Sequence, residues 1–568
     1  MTDHSAESLG GVCTDRQAAL DKLVQLRRAS LLISESELIA HCRLRDSVSQ
    51  PQNEIEILCV PTRNRPDCLR RSLMTYGENA REHGRAIRFL VGDDSDDGEM
   101  AARTERSLSD VAAACGQRAH YIGSRHRANL VGNLALQAEV APDIVTFALQ
   151  RGARFRVAPG VNRNALLLVC SGAMALMVDD DVFCRTAEPP HVDSGAVLTS
   201  RFDPTETWFH ADHASAIASV RPSARDILAI HEELLGRSPA ECFVEWSRDA
   251  GVDLDDLTTA TAQSLAANPG RVRLTHVGIA GDCAMGSTRH YLLWSGASRK
   301  RLLASRERYV AAMASRQVVR SVTRKTITSG AFCPGWQIGL DAREVLPPFC
   351  PVQRNQDGLF VSALRRVCPC TYSGFLPWVV THAPEPPRTS TWDHMWQSVP
   401  GLRTYDIVNS VLAMTPSPVP HASVRDGYEK AGKQLRAIGS LPLREFRRLA
   451  AGIYRRDSEA RIASAEFLLA DRQATPEWAI QDLRTYARIL RESLSDGEGT
   501  IACDLLAEHS PELAIALSQT LLVEFGRLFQ AWPALFEAAA ELRRKYGPDV
   551  AAVLLSPRIG GVAQREFA

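Results

Sequence analysis

Three consecutive aspartates, Asp179-Asp180-Asp181, are the residues of this sequence whose type and spacing point most directly to chemistry. They follow the apolar run 173–178, which is short enough to be a strand buried on both faces. Adjacent carboxylates repel one another and need a compensating positive charge, which a divalent cation with oxygen ligands commonly supplies. An Asp-rich turn that caps the next segment explains the pattern about as well. We expect Asp181 to be exposed at the strand end, so that its removal leaves the fold nearly intact.

The segments before this run must position it. Residues 160–164 are predicted as a turn that leads into a short apolar helix over 165–171, ended by Gly172. Earlier, 55–60 is predicted as a strand and Pro66 as the first residue of the following helix.

A second acidic pair follows a second apolar strand. Residues 87–91 are apolar and run into Gly92-Asp93-Asp94. Strands that alternate with helical patterns predict a parallel sheet covered by helices. Because parallel strands share one carboxyl-terminal edge, Asp93-Asp94 and the three aspartates are predicted at the same edge. The expected fold class is therefore α/β, with a mostly parallel sheet and a C-terminal all-helical domain.

Changes of pattern along the chain suggest its domains. The predicted divisions are a helical extension over 1–53, an α/β domain over 54–390 with an insertion at about 200–330, a Pro-rich linker over 391–420, and a helical domain over 421–568. Residues 271–279 are predicted as a strand that runs to Asp282, and 302–322 as a basic helix. Residues 427–433 match G-x-x-x-x-G-K, but Gln434 follows where Ser or Thr is needed, so we interpret the match as chance within a helix.

Bulk composition excludes little and favours an ordinary globular protein. Lys plus Arg equals Asp plus Glu at 66 each, so charge gives no argument for nucleic acid or an anionic membrane as partner. No apolar run approaches the roughly 20 residues of a spanning helix, and no signal peptide is recognisable at the start. The 14 cysteines are scattered, several in apolar runs, which suits reduced thiols and a cytoplasmic location.

In the order of these segments, the chain resembles the GT-A-fold glycosyltransferases, particularly the family 2-like inverting enzymes with an Asp-x-Asp motif. The resemblance covers roughly residues 54–385. The matching residues are Val60-Pro61-Thr62-Arg63-Asn64-Arg65-Pro66, Val91-Gly92-Asp93-Asp94-Ser95, Asn162-Arg163-Asn164, Asp179-Asp180-Asp181, Asn355-Gln356-Asp357 and His382.

The resemblance implies roles for these positions. The implied nucleotide-sugar contacts are Pro61, Thr62, Arg63, Arg65, Asp93, Asp94, Arg163, Asn164, Asp179 and Asp180. Asp179, Asp181 and His382 are the implied ligands of Mn²⁺ or Mg²⁺, which would offset charge on a departing diphosphate. Asp357 is the implied general base that takes the acceptor's proton. Without the resemblance, Asp357 is better explained as a helix N-cap and His382 as a loop histidine.

The expected activity is transfer of a sugar from a nucleotide-diphosphate sugar, with a UDP-sugar as the leading donor. The acceptor stays open among a saccharide, a small metabolite, a lipid-linked intermediate and a peptide, and Asp282 is a candidate to face it. The gap from Asp181 to Asp357 is long for the family, and Gln356 replaces a second carboxylate. Two alternatives are a GT-A-fold nucleotidylyltransferase, disfavoured because the loop 61–66 contains no Gly, and a non-catalytic scaffold with a degenerate transferase domain.

Overall fold

One mixed sheet of fourteen strands organises the computed structural model of the chain, which describes residues 16–28, 32–43, 53–249, 251–267, 270–368, 370–416, 423–471, 475–496 and 499–557. The strands are β1 (Ile57–Thr62), β2 (Arg88–Asp93), β3 (Arg118–Ile122), β4 (Met174–Val178), β5 (Val182–Glu188), β6 (Ala196–Thr199), β7 (Glu206–Phe209), β8 (Arg221–Pro222), β9 (Val252–Asp253), β10 (Arg271–Asp282), β11 (Gln317–Ser321), β12 (Lys325–Thr328), β13 (Gln337–Asp341) and β14 (Thr371–His382).

The strand order along the sheet is β3-β2-β1-β4-β13-β10-β14-β12-β6-β9. In addition, β11 pairs with β10 and β7, and β5 pairs with β14 and β8. The first four strands of this order are parallel to one another, whereas β13 runs antiparallel to both β4 and β10. The segment expected as an insertion therefore extends the sheet, because β7–β12 all belong to it.

Helices cover the sheet and form the C-terminal part of the chain. They are α1 (Arg16–Arg28), α2 (Glu35–Arg43), α3 (Pro66–Glu82), α4 (Gly98–Cys115), α5 (Ser124–Gln137), α6 (Pro142–Leu149), α7 (Pro159–Val169), α8 (His213–Ala218), α9 (Ile227–Glu232), α10 (Pro239–Asp249), α11 (Thr259–Ala267), α12 (Gly296–Leu302), α13 (Arg306–Ala314), α14 (Gln356–Val367), α15 (Trp392–Gln397), α16 (Thr404–Ala413), α17 (Val424–Gly439), α18 (Leu443–Ala470), α19 (Glu477–Ser495), α20 (Cys503–Leu506), α21 (Pro511–Tyr546) and α22 (Val550–Leu554). Two 3₁₀ helices span Thr288–Leu293 and Gly547–Asp549. None of the described helices is long and apolar enough to cross a membrane.

The expected α/β class is confirmed: the central sheet is mixed, with the expected parallel arrangement in β3-β2-β1-β4, and the C-terminal region is helical. No described residue after His382 belongs to a strand. The segment expected as a Pro-rich linker contains α15 and α16, and the residues 417–420 within it lie outside the described part of the chain. No disulfide joins any of the described cysteines.

Alternate residues of β1 pack into different cores because successive side chains of a strand point to opposite faces. Ile57 and Cys59 join the core that includes the C-terminal helices, whereas Leu58 and Val60 join the core on the other face. The strand β4 is buried along its whole length, which explains its uninterrupted apolar sequence.

The C-terminal helices share the first of these cores with the sheet. Trp532 of α21 is fully buried, and its Nε1 donates a hydrogen bond to the Leu346 carbonyl at 2.6 Å. The G-x-x-x-x-G-K match lies within α17, as expected for a chance match. A Cβ on Gly432 would lie 2.7 Å from the Gly526 carbonyl oxygen, so this glycine permits α17 and α21 to cross closely.

A buried polar network connects α3 and α9 with the sheet. His231 is fully buried, with Nδ1 2.8 Å from the Thr275 hydroxyl and Nε2 3.3 Å from Gln337 Oε1. Gln337 Nε2 in turn donates to the Tyr76 hydroxyl at 2.9 Å. Burial lowers the pKa of His231 to about 4, so the ring is neutral in the folded protein.

We predict that the protein loses stability on acidification through His231. An unfolded histidine has a pKa of about 6.5, so the unfolded chain binds more protons than the fold between about pH 6.5 and pH 4. As the pH falls through this window, the free energy of unfolding should decrease. His231 should account for about 2 kcal/mol of this decrease at pH 5. His231→Gln removes the titrating ring and should reduce the difference between urea unfolding at pH 7 and pH 5. The exposed His83, changed to Gln, is the control, and an equal effect of both variants would contradict the prediction.

Candidate functional site

The carboxyl ends of β1, β2 and β4 meet at one edge of the sheet, as the sequence predicts. Thr62, the last residue of β1, is paired with Asp93, the last residue of β2. Cys59 of β1 is paired with Met177 of β4, so the three aspartates after β4 lie beside the end of β1. A direct contact confirms this proximity, because the Thr62 hydroxyl donates to Asp180 Oδ2 at 2.6 Å.

Asn162 fastens the ends of β1 and β2 together. Its Nδ2 donates to the carbonyls of Thr62 at 3.0 Å and Gly92 at 2.9 Å. Its Oδ1 accepts from the buried Arg127, which also donates to the Asp93 carbonyl at 2.7 Å. The helix begins at Pro159, not after a turn over 160–164, because proline is favoured in the first helical turn. The polar side chains are therefore buried within α7.

Asn164 lies away from this edge, contrary to its implied role. It is fully buried, and its Nδ2 donates to the carbonyls of Ala148 at 3.1 Å and Phe349 at 3.0 Å. Its Oδ1 accepts from the Phe349 amide at 2.8 Å. All of its amide atoms are engaged with the backbone, so Asn164 stabilises the fold and leaves none for a nucleotide sugar.

Each of the three aspartates has cationic or hydroxyl partners. Asp179 accepts from Arg163 at 2.5 Å, and this arginine also donates to the Gly335 carbonyl at 3.1 Å. Asp180 accepts from Arg65 at 3.2 Å in addition to Thr62.

Asp181 is the most heavily paired of the three. Its Oδ2 lies 3.2 Å from Arg65 and 3.4 Å from Arg388, and its Oδ1 lies 3.3 Å from His382 Nε2. We expected Asp181 to be exposed, but only 3% of its surface is accessible. The reason is that the end of β14 brings His382 against Asp181 and the loop after β14 brings Arg388.

Burial and neighbouring charges separate the acidities of these carboxyls. Burial, together with the negative charge of Asp181, raises the pKa of Asp180 to about 7. Burial also raises the pKa of Asp179, against the lowering effect of Arg163. For Asp181, burial is outweighed by the bond to His382 and by the charges of Arg388 and Arg65, so its pKa is lowered. Asp181 is therefore the carboxylate that stays ionised.

His382 links the aspartate run to β10. Its Nδ1 lies 2.6 Å from the Asp282 carbonyl and its Nε2 faces Asp181, so both ring nitrogens have acceptors. Burial lowers its pKa, but the Asp181 bond and charge prevail and the net shift is upward. The Asp282 side chain was a candidate to face the acceptor, but it is 1% exposed and its carboxylate is held by Arg316 at 2.7 and 3.0 Å.

The acidic pair after β2 forms the other half of the edge. Asp93 accepts from the Tyr121 hydroxyl at 2.8 Å and from Ser95, whereas Asp94 forms an ion pair with Arg127 at 2.8 Å. Both aspartates thus lie beside Thr62 at the mouth of the parallel strands.

Two further residues with implied nucleotide contacts, Pro61 and Arg63, lie at the end of β1 and directly after it. Arg63 forms an ion pair with Asp96 at 2.8 Å, and Arg151 reaches the same carboxylate at 2.6 Å. The bonds from Asn64, Arg63 and Arg151 lower the pKa of Asp96 to about 2. Pro61 is half-buried within β1, one residue before Thr62.

Asp357 lies in the first turn of α14, near Asp179. The N-cap is Asn355, whose φ is 70°, so Asp357 is not the capping residue. A Cβ on Gly335 would lie 2.2 Å from Asp357 Oδ2, which shows how closely this carboxylate approaches the chain that Arg163 contacts. Burial raises the pKa of Asp357, opposed by the charge of Arg163 and by backbone amides.

Three arginines border the mouth of this site. The side chains of Arg65 and Arg388 are 36% and 40% exposed, so both retain accessible donors beside Asp181. Arg354 is exposed in the loop before α14, between Gln353 and Asn355, two non-glycine residues with positive φ. Partial burial and the charges of Arg388 and Arg65 all lower the pKa of Arg354. The effect of these charges shows that the three guanidinium groups are neighbours.

A divalent cation fits this arrangement poorly. Within the described ranges, no three His, Cys, Asp or Glu side chains are grouped so that they could hold a metal ion. Both oxygens of Asp181 face cations, and His382 offers Nε2 to that carboxylate. Asp179, whose side chain is 35% exposed, is the carboxylate of the run with an accessible edge.

Several residues of the site carry no signal in the sequence. Arg127, Arg316, Arg388 and Tyr121 lie outside the segments that suggested chemistry. The aspartates require positively charged partners, so the sequence predicts that such residues exist. It does not identify them, because they lie at no regular distance along the chain from the aspartates.

No protein-family model matches the chain, and no curated protein matches it. The resemblance to the GT-A-fold glycosyltransferases therefore depends on the sequence motifs quoted above alone.

We predict that the pair of Arg316 with Asp282 stabilises the fold strongly. Arg316 is 6% and Asp282 1% exposed, and removal of one partner of a buried ion pair typically costs about 3–5 kcal/mol. Arg316→Met should lower the free energy of unfolding by that order in urea denaturation. Arg488→Met, which breaks the exposed pair with Glu492, is the control and should cost at most about 1 kcal/mol. Equal losses in both variants would contradict the assignment.

Proposed function

We propose that the chain is a glycosyltransferase that uses a nucleotide-diphosphate sugar, with a UDP-sugar as the leading donor. One observation carries the proposal: Asp93-Asp94, the three aspartates after β4 and Asp357 converge on one edge of a parallel half-sheet. Ligands of open α/β sheets bind outside the carboxyl ends of the strands, which is where these groups lie.

The donor's nucleoside fits the half of the edge nearer β2. Asp94 keeps one carboxylate oxygen beyond its bond to Arg127, so it can accept from a nucleobase N–H. The accessible edge of Asp179 can accept from a ribose hydroxyl. Thr62 and Arg65 lie between these two aspartates and the position of the diphosphate.

The donor's diphosphate fits the arginines at the mouth. Arg65, Arg354 and Arg388 supply positive charge that can offset the charge developing on the leaving oxygens. Mn²⁺ or Mg²⁺, when bound, would supply the same compensation through Asp179 and Asp181, but Asp181 would first have to release its cations. The arginines therefore perform this role in our proposal, and no step requires the metal.

Asp357 is the proposed base. Its raised pKa makes it a better proton acceptor than an ordinary aspartate. In an inverting transfer, Asp357 takes the proton of an acceptor hydroxyl. The hydroxyl oxygen then forms a bond to the anomeric carbon while the bond to the diphosphate breaks on the opposite face.

Two other functions have weaker support. A nucleotidylyltransferase needs a glycine-rich loop after the first strand, and residues 61–66 contain no glycine. A scaffold without catalysis gives no reason for a carboxylate with a raised pKa beside the aspartate edge.

We predict that nucleoside diphosphates bind without a metal. Titration calorimetry with UDP, GDP and ADP should show one preferred nucleotide, and its affinity should change less than about threefold between Mn²⁺ and excess EDTA. Incubation with the matching nucleotide sugars should release the diphosphate. The absence of binding by every nucleotide would contradict the proposed function. A tenfold or larger loss of nucleotide affinity in EDTA would instead show that donor binding requires a metal ion.

We predict that Asp357→Asn lowers turnover by about 10²- to 10⁴-fold, the usual cost of removing a general base, while donor affinity changes less than about threefold. Asn keeps the shape of the side chain but cannot take the proton. Asp393→Asn is the matched control, because Asp393 is an exposed aspartate in the first turn of α15. Turnover of the Asp357 variant within a few-fold of wild type would remove this residue from the mechanism.

A further inference from the structure

A second group of arginines lies where the loop after β10 meets the segment before α16. The loop leaves Asp282 and leads through Gly286 to Arg289 in the 3₁₀ helix Thr288–Leu293. A Cβ on Gly286 would lie 3.8 Å from an Arg403 terminal nitrogen, so the two segments are adjacent. A hydrogen bond of 2.8 Å between the hydroxyls of Ser398 and Ser287 joins them.

Two guanidinium groups converge on one carbonyl oxygen in this place. Arg289 donates to the Val399 carbonyl at 3.3 Å, and Arg461 of α18 donates to the same oxygen at 2.7 Å. A neutral carbonyl compensates little of the charge of two arginines, so their proximity is unfavourable without a further anionic group.

The carboxylates of this region do not form ion pairs with two of the three arginines. Within the described ranges, neither Arg289 nor Arg403 forms a side-chain ion pair, and the Nε of Arg289 is buried without a hydrogen-bond partner. Arg461 has Asp457 at 3.3 Å and the Tyr486 hydroxyl at 2.8 Å. Two further acidic groups lie here. Asp406 accepts from the backbone amide of Arg403 at 2.8 Å, and burial raises its pKa to about 6. Asp504 accepts from the amide and the hydroxyl of Thr404 at 2.9 and 3.0 Å.

This arginine group adjoins the proposed base through Tyr405. Tyr405 lies between Arg403 and Asp406 in the chain, and its hydroxyl lies near the side chain of Asn355. The pKa of Tyr405 is raised to about 12 by burial and by the charges of Asp406 and Asp357, so Asp357 is also nearby. The group therefore borders the side of the site that an acceptor must occupy to reach Asp357, whereas Arg65 and Arg388 border the three aspartates.

We propose that Arg289, Arg403 and Arg461 form a subsite for an anionic group, a carboxylate or phosphate, carried by the acceptor of the transfer. The inference rests on the proposed function and adds to it the acceptor's chemical class: an acidic saccharide or small metabolite. Arginine suits this role because its planar fork matches both anions in a bidentate manner. The anion supplies the ion-pair partner that Arg289 and Arg403 lack, and its attachment orients the acceptor hydroxyl toward Asp357.

Matched sugar probes test the subsite by titration calorimetry at low ionic strength, where screening is weak. Glucose 6-phosphate and glucuronate carry the two anions, and glucose is the neutral probe. Wild-type protein should bind at least one anionic probe at least tenfold more tightly than glucose. Arg289→Gln and Arg403→Gln should abolish this preference while UDP binding stays within threefold of wild type. Arg403 is exposed, so its variant tests the inference even if the Arg289 variant fails to fold.

Arg455→Gln provides the control, because Arg455 is an exposed arginine on the same helix as Arg461 and should keep the preference. Equal binding of charged and neutral probes by wild type, or a preference that survives in the Arg403 variant, would overturn the subsite. Displacement of glucose 6-phosphate by UDP would also overturn it, since the arginines would then hold the donor's diphosphate. Wild-type protein that prefers the anionic probes but binds no nucleotide would instead contradict the proposed transferase function. The arginine subsite would then have no acceptor to hold.

Discussion

Compensation of buried negative charge is the constraint on which the candidate site depends. Asp180, Asp181 and Asp282 are 6%, 3% and 1% exposed, at the carboxyl ends of β4 and β10. An ionised carboxylate in the interior costs several kcal/mol unless cations and hydrogen bonds accompany it. The cations come from the loop after β1, from the segment before β11, and from the end of β14 and the loop after it. The same contacts that neutralise the aspartates therefore fix the positions of these segments around one edge of the sheet.

The location of the acidic edge could be predicted from the sequence, because it depends on local patterns. Apolar runs of strand length ended at Asp93 and before Asp179, and the parallel arrangement followed from the alternation with helices. The partners of these aspartates could not be predicted in the same way. Arg316 is 34 residues from Asp282, and Arg388 is 207 residues from Asp181. Only the folded chain brings such pairs together, and no periodicity marks them.

Tertiary contacts also overrode two local interpretations. The sequence suggests that Asn162 and Asn164 are polar residues before a helix. In the structure both lie within α7, and their side-chain amides donate to buried carbonyls of other segments. Residues 302–322 were expected to be helical, yet helix α13 ends at Ala314 and Gln317–Ser321 is strand β11. That expectation was wrong because β11 pairs with β10 and β7, and such pairing outweighs local propensity.

The hydrogen bond from Trp532 to Leu346 connects the C-terminal helices to the segment that carries Asp357. Nothing in the sequence of these helices suggests this connection. Leu346 begins the segment that runs through Phe349, bonded to Asn164, and on to Asp357. A shift of α21 would be transmitted along this chain to the side chain proposed as base. Substitutions in helices that lie away from this sheet edge would then alter the proposed site, at residues such as Trp532, more than 170 positions further along the chain than Asp357.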